Sequence, residues 1–288
     1  APTRTPSARR ERDPAARRHL LPGPGRWVVI ASTKSNSELF STFTFAPGTA
    51  LLDNLRDLFA YNDGQFLMWV LNSVIYAGLG GSVVATLVST MAGYALAMFQ
   101  FPPGQRIWMV AILAGVLLPG IILAVPPQYL LLAKIGLAGS YWSVLLPSLI
   151  NPPFGIFLAR VFAASAIPPT QLLEAARLDG AGEARIFGSM VLPMMVPGMV
   201  TIFLLQFVGT WNNFLLPFIM LSDESRYPLT VGLYTLLSKG SGTPSLYSLA
   251  IVGAAVSVIP LIIMMLVLQR YWRLDLVSGG LKGVIPEV

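Results

Sequence analysis

Residues 246–269 read LYSLAIVGAAVSVIPLIIMMLVLQ and contain no Asp, Glu, Lys or Arg. An α-helix needs about 20 apolar residues, each rising about 1.5 Å, to cross a hydrocarbon core about 30 Å thick. This stretch therefore predicts a membrane-spanning helix.

Four further stretches of the chain share this lack of charge. The five charge-free intervals are 64–105, 107–133, 135–159, 186–222 and 240–269. We expect membrane spans near 66–98, 107–125, 140–161, 194–221 and 246–269. A soluble protein can bury one such helix in its core, but five in succession exclude that alternative. The predicted fold class is an all-α integral membrane protein with five transmembrane helices.

The composition agrees with a membrane protein. Of the 288 residues, 55% are hydrophobic and 11% are charged, whereas a soluble domain carries about 25% charged residues. The net charge of +6 does not indicate nucleic-acid binding, because no basic face with interleaved aromatic residues is left outside the spans. There is no cysteine, and His19 is the one histidine, so we expect neither a metal site nor a cofactor.

The amino-terminal part differs from the rest. Residues 1–26 are rich in Arg, Pro and Ala, which predicts a disordered basic arm. The apolar run Trp27–Ala31 that follows is too short to cross a bilayer. The preceding Pro-Gly-Pro-Gly, residues 22–25, predicts that this run does not extend towards the N-terminus as a helix.

One polar loop contains the signals of two short helices joined by a turn. Residues 168–193 read PPTQLLEAARLDGAGEARIFGSMVLP. Thr170 is a candidate N-cap for a short helix, and Asp179-Gly180 ends it. A second short helix, about Glu183 to Met190, leads into the next span. On physical grounds this segment is either a docking knob or simply a folded loop, and both remain open.

The spacing within this loop resembles a known signature. Glu174-Ala175-Ala176 is followed after three residues by Gly180, after nine more by Met190, and after one more by Leu192-Pro193. This resembles the EAA motif of binding-protein-dependent ABC importer permeases, in which Ile is usual where this chain has Met190. Segments such as Ser32–Phe40 and Trp211–Phe214 are similar to the carbohydrate-uptake branch, the maltose-type smaller permease subunit.

The resemblance implies a non-catalytic subunit of a bacterial inner-membrane importer. Its expected partners are a second homologous permease subunit, two copies of an ATP-binding subunit and an extracytoplasmic solute-binding protein. The loop 162–193 and the C-terminus would be cytoplasmic, with Glu174 pairing with a basic residue of the ATPase. The residues expected at the ATPase-coupling site are Glu174, Ala175, Ala176, Asp179, Gly180, Met190, Leu192 and Pro193.

The resemblance also implies a division of the chain. A basic arm, 1–26, precedes an extracytoplasmic segment, 27–64; the permease domain is 65–272, and a cytoplasmic tail is 273–288. Such permeases usually have six helices, with one just before the segment that here begins at Ser32. We expect that this first helix has been lost through a frame disruption or a wrong start.

A possible substrate pathway is indicated by polar groups near one span end. Gln206, Trp211, Asn212 and Asn213 offer hydrogen bonds and a stacking face to a sugar. Amides at span ends also commonly bond to neighbouring backbone, and this alternative remains open.

Two other functions compete with an importer permease. One is a self-contained secondary carrier or channel, and the other is a membrane-embedded enzyme. Proton- and ion-coupled carriers generally need ionisable groups inside the spans, and an enzyme would need an acid or base there. The charge-free intervals supply neither. The chain also lacks a Gly-rich phosphate loop with Lys-Ser/Thr, so ATP would have to be hydrolysed by a partner.

Overall fold

The computed structural model describes residues 24–41, 45–99, 101–102, 104–117, 120–150, 153–166 and 170–281. These residues form helices and turns, with no strand among them, and the predicted all-α class is confirmed. Most of the predicted arm, 1–26, and part of the predicted tail, 273–288, lie outside the described residues, so both stay predictions.

The helices are named here in chain order. They are α1 (Pro24–Ser32), α2 (Asn36–Ser41), α3 (Leu51–Ala60), α4 (Gln65–Val74), α5 (Ala85–Met98), α6 (Gln105–Leu117), α7 (Gly120–Lys134), α8 (Tyr141–Ile150), α9 (Pro153–Ala166), α10 (Thr170–Leu178), α11 (Glu183–Ile186), α12 (Leu192–Trp211), α13 (Leu215–Met220), α14 (Leu229–Gly240) and α15 (Pro244–Leu281). Two π-helical segments, Ile75–Val84 and Phe187–Val191, join α4 to α5 and α11 to α12.

Four helical stretches are long and apolar enough to cross a membrane. They are Leu51–Met98, Tyr141–Ser165, Glu183–Trp211 and Pro244–Gln269. Each overlaps one of the predicted spans, since a charge-free interval of this length has few other stable environments.

The predicted span 107–125 is not found as one helix in the described residues. That region contains α6, with 13 residues, and α7, with 15 residues, on either side of 118–119. Each is shorter than the roughly 20 residues that a span requires. Because 118–119 lie outside the described residues, the predicted count of five spans is not confirmed.

The predicted span 194–221 has different ends in the structure. Its helix is continuous with α11 and stops at Trp211, where the N–H groups of Asn212 and Asn213 bond to the carbonyls of Val208 and Thr210. The chain then turns into α13. The charge-free sequence continues past this turn because side chains of α13 are themselves buried in a core cluster.

The run Trp27–Ala31 lies in α1, which begins at Pro24 rather than after the Pro-Gly-Pro-Gly sequence. Proline is tolerated at a helix start because the first N–H groups of a helix have no intrahelical acceptor. This part of the expectation was wrong. α1 packs against α15, and Ala31 is buried in the contact.

Two features hold the ends of the bundle. At one end, Trp69, Asn72 and Tyr76 donate hydrogen bonds to backbone carbonyls of residues 224–227, which fixes the loop before α14. At the other end, α5 and α9 meet backbone to backbone at Gly93. There a cluster of buried side chains, called the loop-end cluster, joins the spans to the polar loop; it comprises Tyr94, Ala159, Ala163, Leu173, Ile186, Val191, Met195 and Ile202.

Candidate functional site

The polar loop folds as two short helices, α10 and α11, joined by a tight turn at Gly180. The φ angle of Gly180 is +84°, a conformation that is unfavourable for residues with a Cβ. The N–H of Ala181 donates to the carbonyl of Ala176 at 3.0 Å, and the N–H of Gly180 donates to that of Arg177 at 3.0 Å. These bonds satisfy carbonyls at the C-terminal end of α10, as in other glycine-terminated helices.

One face of the loop is anchored in the bundle. Leu173 on α10 and Ile186 on α11 are almost fully buried in the loop-end cluster. Val191, immediately before α12, is buried in the same cluster. The side chain of Thr170, the predicted N-cap, lies outside the described side chains. The loop is therefore packed onto α5, α9 and α12.

The opposite face of the loop is exposed. Glu174, Ala175, Asp179 and Gly180 are all exposed, and Leu178 is 89% exposed. Of the other motif residues, Ala176, Met190 and Leu192 are half-buried and Pro193 is exposed. Leu178 is the most exposed large apolar side chain in the part of the chain that the structure describes.

An ion pair that the sequence analysis missed holds the two short helices together. Arg177 Nε lies 2.7 Å from Glu183 Oε1, with both side chains partly exposed. The hydrogen bond with Glu183 raises the pKa of Arg177 above its usual value. The signal in the sequence was an Arg and a Glu on either side of a glycine turn, which brings the ends of two helices together.

Glu183 also reaches the adjacent span. The hydroxyl of Tyr94, on α5, donates to Glu183 Oε2 at 3.4 Å. The Tyr94 ring contacts those of Phe187 and Phe99, with centroids 5.2 Å and 6.0 Å away. The loop is thus linked to α5 by polar and aromatic contacts.

A cavity of about 210 Å³ lies among α7, α8, α12 and α13. Two of the predicted pathway residues, Gln206 and Asn213, line it. Three further polar residues that sequence reasoning did not select line it as well: Gln128, Ser148 and Thr210.

The other two predicted pathway residues lie elsewhere. Trp211 is buried in a hydrophobic cluster, stacked on Phe207 with a centroid distance of 5.5 Å. Asn212 is exposed, and its Nδ2 donates to the carbonyl of Val208 at 2.8 Å. The alternative of an amide bonded to neighbouring backbone therefore holds for Asn212.

Several polar groups around the cavity have unused hydrogen-bonding capacity. The side chains of Gln128, Gln206 and Thr210 make no hydrogen bond to any residue that the structure describes. Ser148 donates to the carbonyl of Val144 at 2.9 Å and retains an acceptor. Within the described ranges, no three His, Cys, Asp or Glu side chains lie together as metal ligands.

Four long apolar helical stretches, a half-open cavity with polar side chains and a two-helix loop at one end are features of a helical membrane protein. A family model described as "Binding-protein-dependent transport system inner membrane component" matches residues 66–273. The chain belongs to this family and is an inner-membrane protein. It is not an enzyme; in importers of this class ATP hydrolysis belongs to a separate ATPase subunit.

Two relatives illustrate the range of the family. The arabinooligosaccharides transport system permease protein AraQ of Halalkalibacterium halodurans is 33% identical over 259 residues, 89% of each chain. The sn-glycerol-3-phosphate transport system permease protein UgpE of Pectobacterium atrosepticum is 30% identical over 256 residues, 87% of this chain and 88% of its own.

Two solved structures share the fold. A bacterial ABC transporter involved in the import of the acidic polysaccharide alginate aligns with a TM-score of 0.70 at 24% identity, covering 93% of this chain and 99% of its own. A bacterial alginate ABC transporter in complex with a periplasmic protein bound to alginate pentasaccharide aligns with a TM-score of 0.54 at 15% identity, covering 88% and 90%.

Proposed function

We propose that this chain is the membrane-spanning permease subunit of an ATP-driven sugar importer, and that its polar loop couples ATPase closure to alternating access. The names of its relatives, among them an arabinooligosaccharide permease, support the sugar class. The proposed partners are a second homologous permease, two ATP-binding subunits and an extracytoplasmic solute-binding protein. In this arrangement the loop and the C-terminus face the cytoplasm, and 27–64 faces the outside.

The observation that carries this proposal is the division of the loop into an anchored and an exposed face. Leu173 and Ile186 are buried in the cluster that also holds residues of α5, α9 and α12. Leu178, on the far side of α10, is 89% exposed. A force applied to the exposed face would therefore move three helices together, since packed interiors transmit displacement rather than absorb it.

The motif residues receive roles that fit this geometry. Glu174 supplies an exposed carboxylate for a basic residue of the ATPase, and Ala175 allows close approach. Ala176, also expected to allow close approach, is half-buried and packs against the loop-end cluster instead. Gly180 sets the angle between the two short helices. Asp179 lies at the same exposed turn, whereas Met190, Leu192 and Pro193 lead the loop into α12.

The test is transport by the assembled importer in proteoliposomes. We expect Glu174→Ala to lower sugar uptake per ATP hydrolysed about tenfold or more, as loss of one partner of an interfacial charge pair commonly does. Gly180→Pro should do the same, because proline cannot adopt a φ of +84°. Asp57→Ala removes an exposed carboxylate near the other end and should leave the ratio unchanged. Unaltered coupling in both loop variants would overturn the proposal.

A further inference from the structure

We infer that the cavity among α7, α8, α12 and α13 is a solute site for uncharged, hydroxyl-bearing cargo and that it excludes anions. This inference rests on the proposed transport function and specifies what the permease admits. Gln128, Ser148, Gln206, Thr210 and Asn213 are the residues that set this preference.

The lining has the chemistry of a partner for hydroxyl groups. Each sugar hydroxyl donates one hydrogen bond and accepts others, and side-chain amides and hydroxyls also do both. Gln128, Gln206 and Thr210 have no hydrogen bond within the described residues. These side chains can therefore offer donors and acceptors to an occupant of the cavity without first breaking a hydrogen bond within the described residues.

The elements around the cavity cannot supply a charge. The intervals 107–133, 135–159 and 186–222 contain no Asp, Glu, Lys or Arg. Every residue of α8, α12 and α13 lies in one of them, and so does all of α7 except its last residue, Lys134. This is a property of the sequence, so it also covers 118–119 and 151–152. A phosphate or carboxylate entering the cavity would lose part of its hydration without meeting a cation on α8, α12 or α13, or on α7 before Lys134.

The family scaffold does not by itself impose this preference. The name of UgpE gives sn-glycerol-3-phosphate as its cargo, and the transporter with the similar fold imports an acidic polysaccharide. The scaffold therefore admits cargo of different charge, and the side chains that line the pathway in each chain can contribute to charge selection. At about 210 Å³ the cavity is smaller than the ~300–1,000 Å³ of complete small-molecule sites, which leaves room for a contribution from a second permease.

The test uses the absence of native cysteine in this chain. Ser148→Cys places a thiol in the cavity with little change in size. The assembled, nucleotide-free importer is treated with two methanethiosulfonates of similar size, one neutral (2-hydroxyethyl) and one anionic (2-sulfonatoethyl). The matched control is Ser245→Cys, at an exposed position near the start of α15, and the unsubstituted importer gives the background.

We expect the neutral reagent to modify both thiols, and the anionic-to-neutral rate ratio to be about tenfold or more lower at position 148 than at position 245. Equal ratios, or a faster anionic reaction at 148, would overturn the exclusion of anions. Failure of both reagents at 148 would overturn the cavity as a solute site. Because this experiment needs no ATP, its result can still be interpreted if Glu174 proves to have no role in coupling.

Discussion

Glu183 makes two polar contacts that join parts of the polar loop and its neighbouring helix. It pairs with Arg177 of α10 at 2.7 Å and accepts a hydrogen bond from Tyr94 of α5 at 3.4 Å. It therefore connects α10, the exposed helix of the loop, to α5. Surface ion pairs add little stability, so the value of this contact would lie in fixing the orientation of the loop.

A substitution separates orientation from stability. Glu183→Gln keeps the size of the side chain but removes the charge that Arg177 faces. We expect the melting temperature in detergent to change little, and uptake per ATP hydrolysed to fall about threefold or more, because the two short helices can then move independently. Melting and coupled transport are measured on the same preparation.

A second ion pair provides the control for this prediction. Lys239 Nζ lies 2.7 Å from Glu224 Oε1, with similar exposure, in the part of the chain that follows α13. The change in melting temperature caused by Glu224→Gln should therefore measure the effect of losing an exposed ion pair that lies outside the polar loop. If Glu183→Gln lowers the melting temperature much more than Glu224→Gln does, or leaves coupling intact, the proposed role of Glu183 is wrong.

At the residue scale, the sequence indicated which polar residues could contact a solute, but it did not indicate where their side chains point. The polar cluster at the end of the fourth predicted span was noticed, but only Gln206 and Asn213 line the cavity. Trp211 points into the core instead. Gln128 and Ser148 were missed because they belong to other helices, and the direction in which they point is set by packing between helices that are distant in sequence.

At the element scale, the close approach of α5 and α9 depends on a missing side chain at Gly93. A Cβ added at Gly93 would lie 2.5 Å from Ala159 Cβ and 2.6 Å from the backbone nitrogen of Arg160. Backbone atoms cannot move aside, so α5 and α9 would have to separate. In lipid, close packing of small residues is a main source of helix association.

We therefore expect Gly93→Ala to lower the free energy of unfolding in detergent micelles by about 1–3 kcal/mol, the usual cost of overpacking. Gly188→Ala is the matched control, because a Cβ at that helical position meets nothing within 4 Å. Alanine there should be neutral or slightly stabilising. Equal stability of the two variants would contradict the close approach of α5 and α9.

The sequence predicted the existence of the long elements but not all of their boundaries. Four charge-free intervals correspond to long apolar helical stretches. Charged side chains are costly in the hydrocarbon core of a bilayer, so their absence indicates which segments lie in it. The same signal cannot locate a break inside an apolar run. It therefore missed the end of α12 at Trp211, where two asparagines begin a turn although the following residues are still apolar.

At the scale of the whole molecule, a bundle of largely apolar helices containing a polar cavity carries a folded loop at one end. The loop is fixed to three helices through Leu173 and Ile186 and presents Glu174, Ala175 and Leu178 outward. The motif spacing indicated such a loop from the sequence alone. The linkage through Tyr94 and Glu183 required the structure, since it joins residues from distant parts of the chain.

The central claim is that this exposed face is held by the ATP-binding subunit. The most direct measurement is cross-linking from Ala175→Cys, carrying a photoreactive maleimide, in the assembled importer; Leu52→Cys, a 79% exposed position on α3, is the control. We predict that position 175 cross-links to the ATP-binding subunit and that position 52 does not. Cross-linking of that subunit from position 52, or none from position 175 in an importer that transports, would contradict the account.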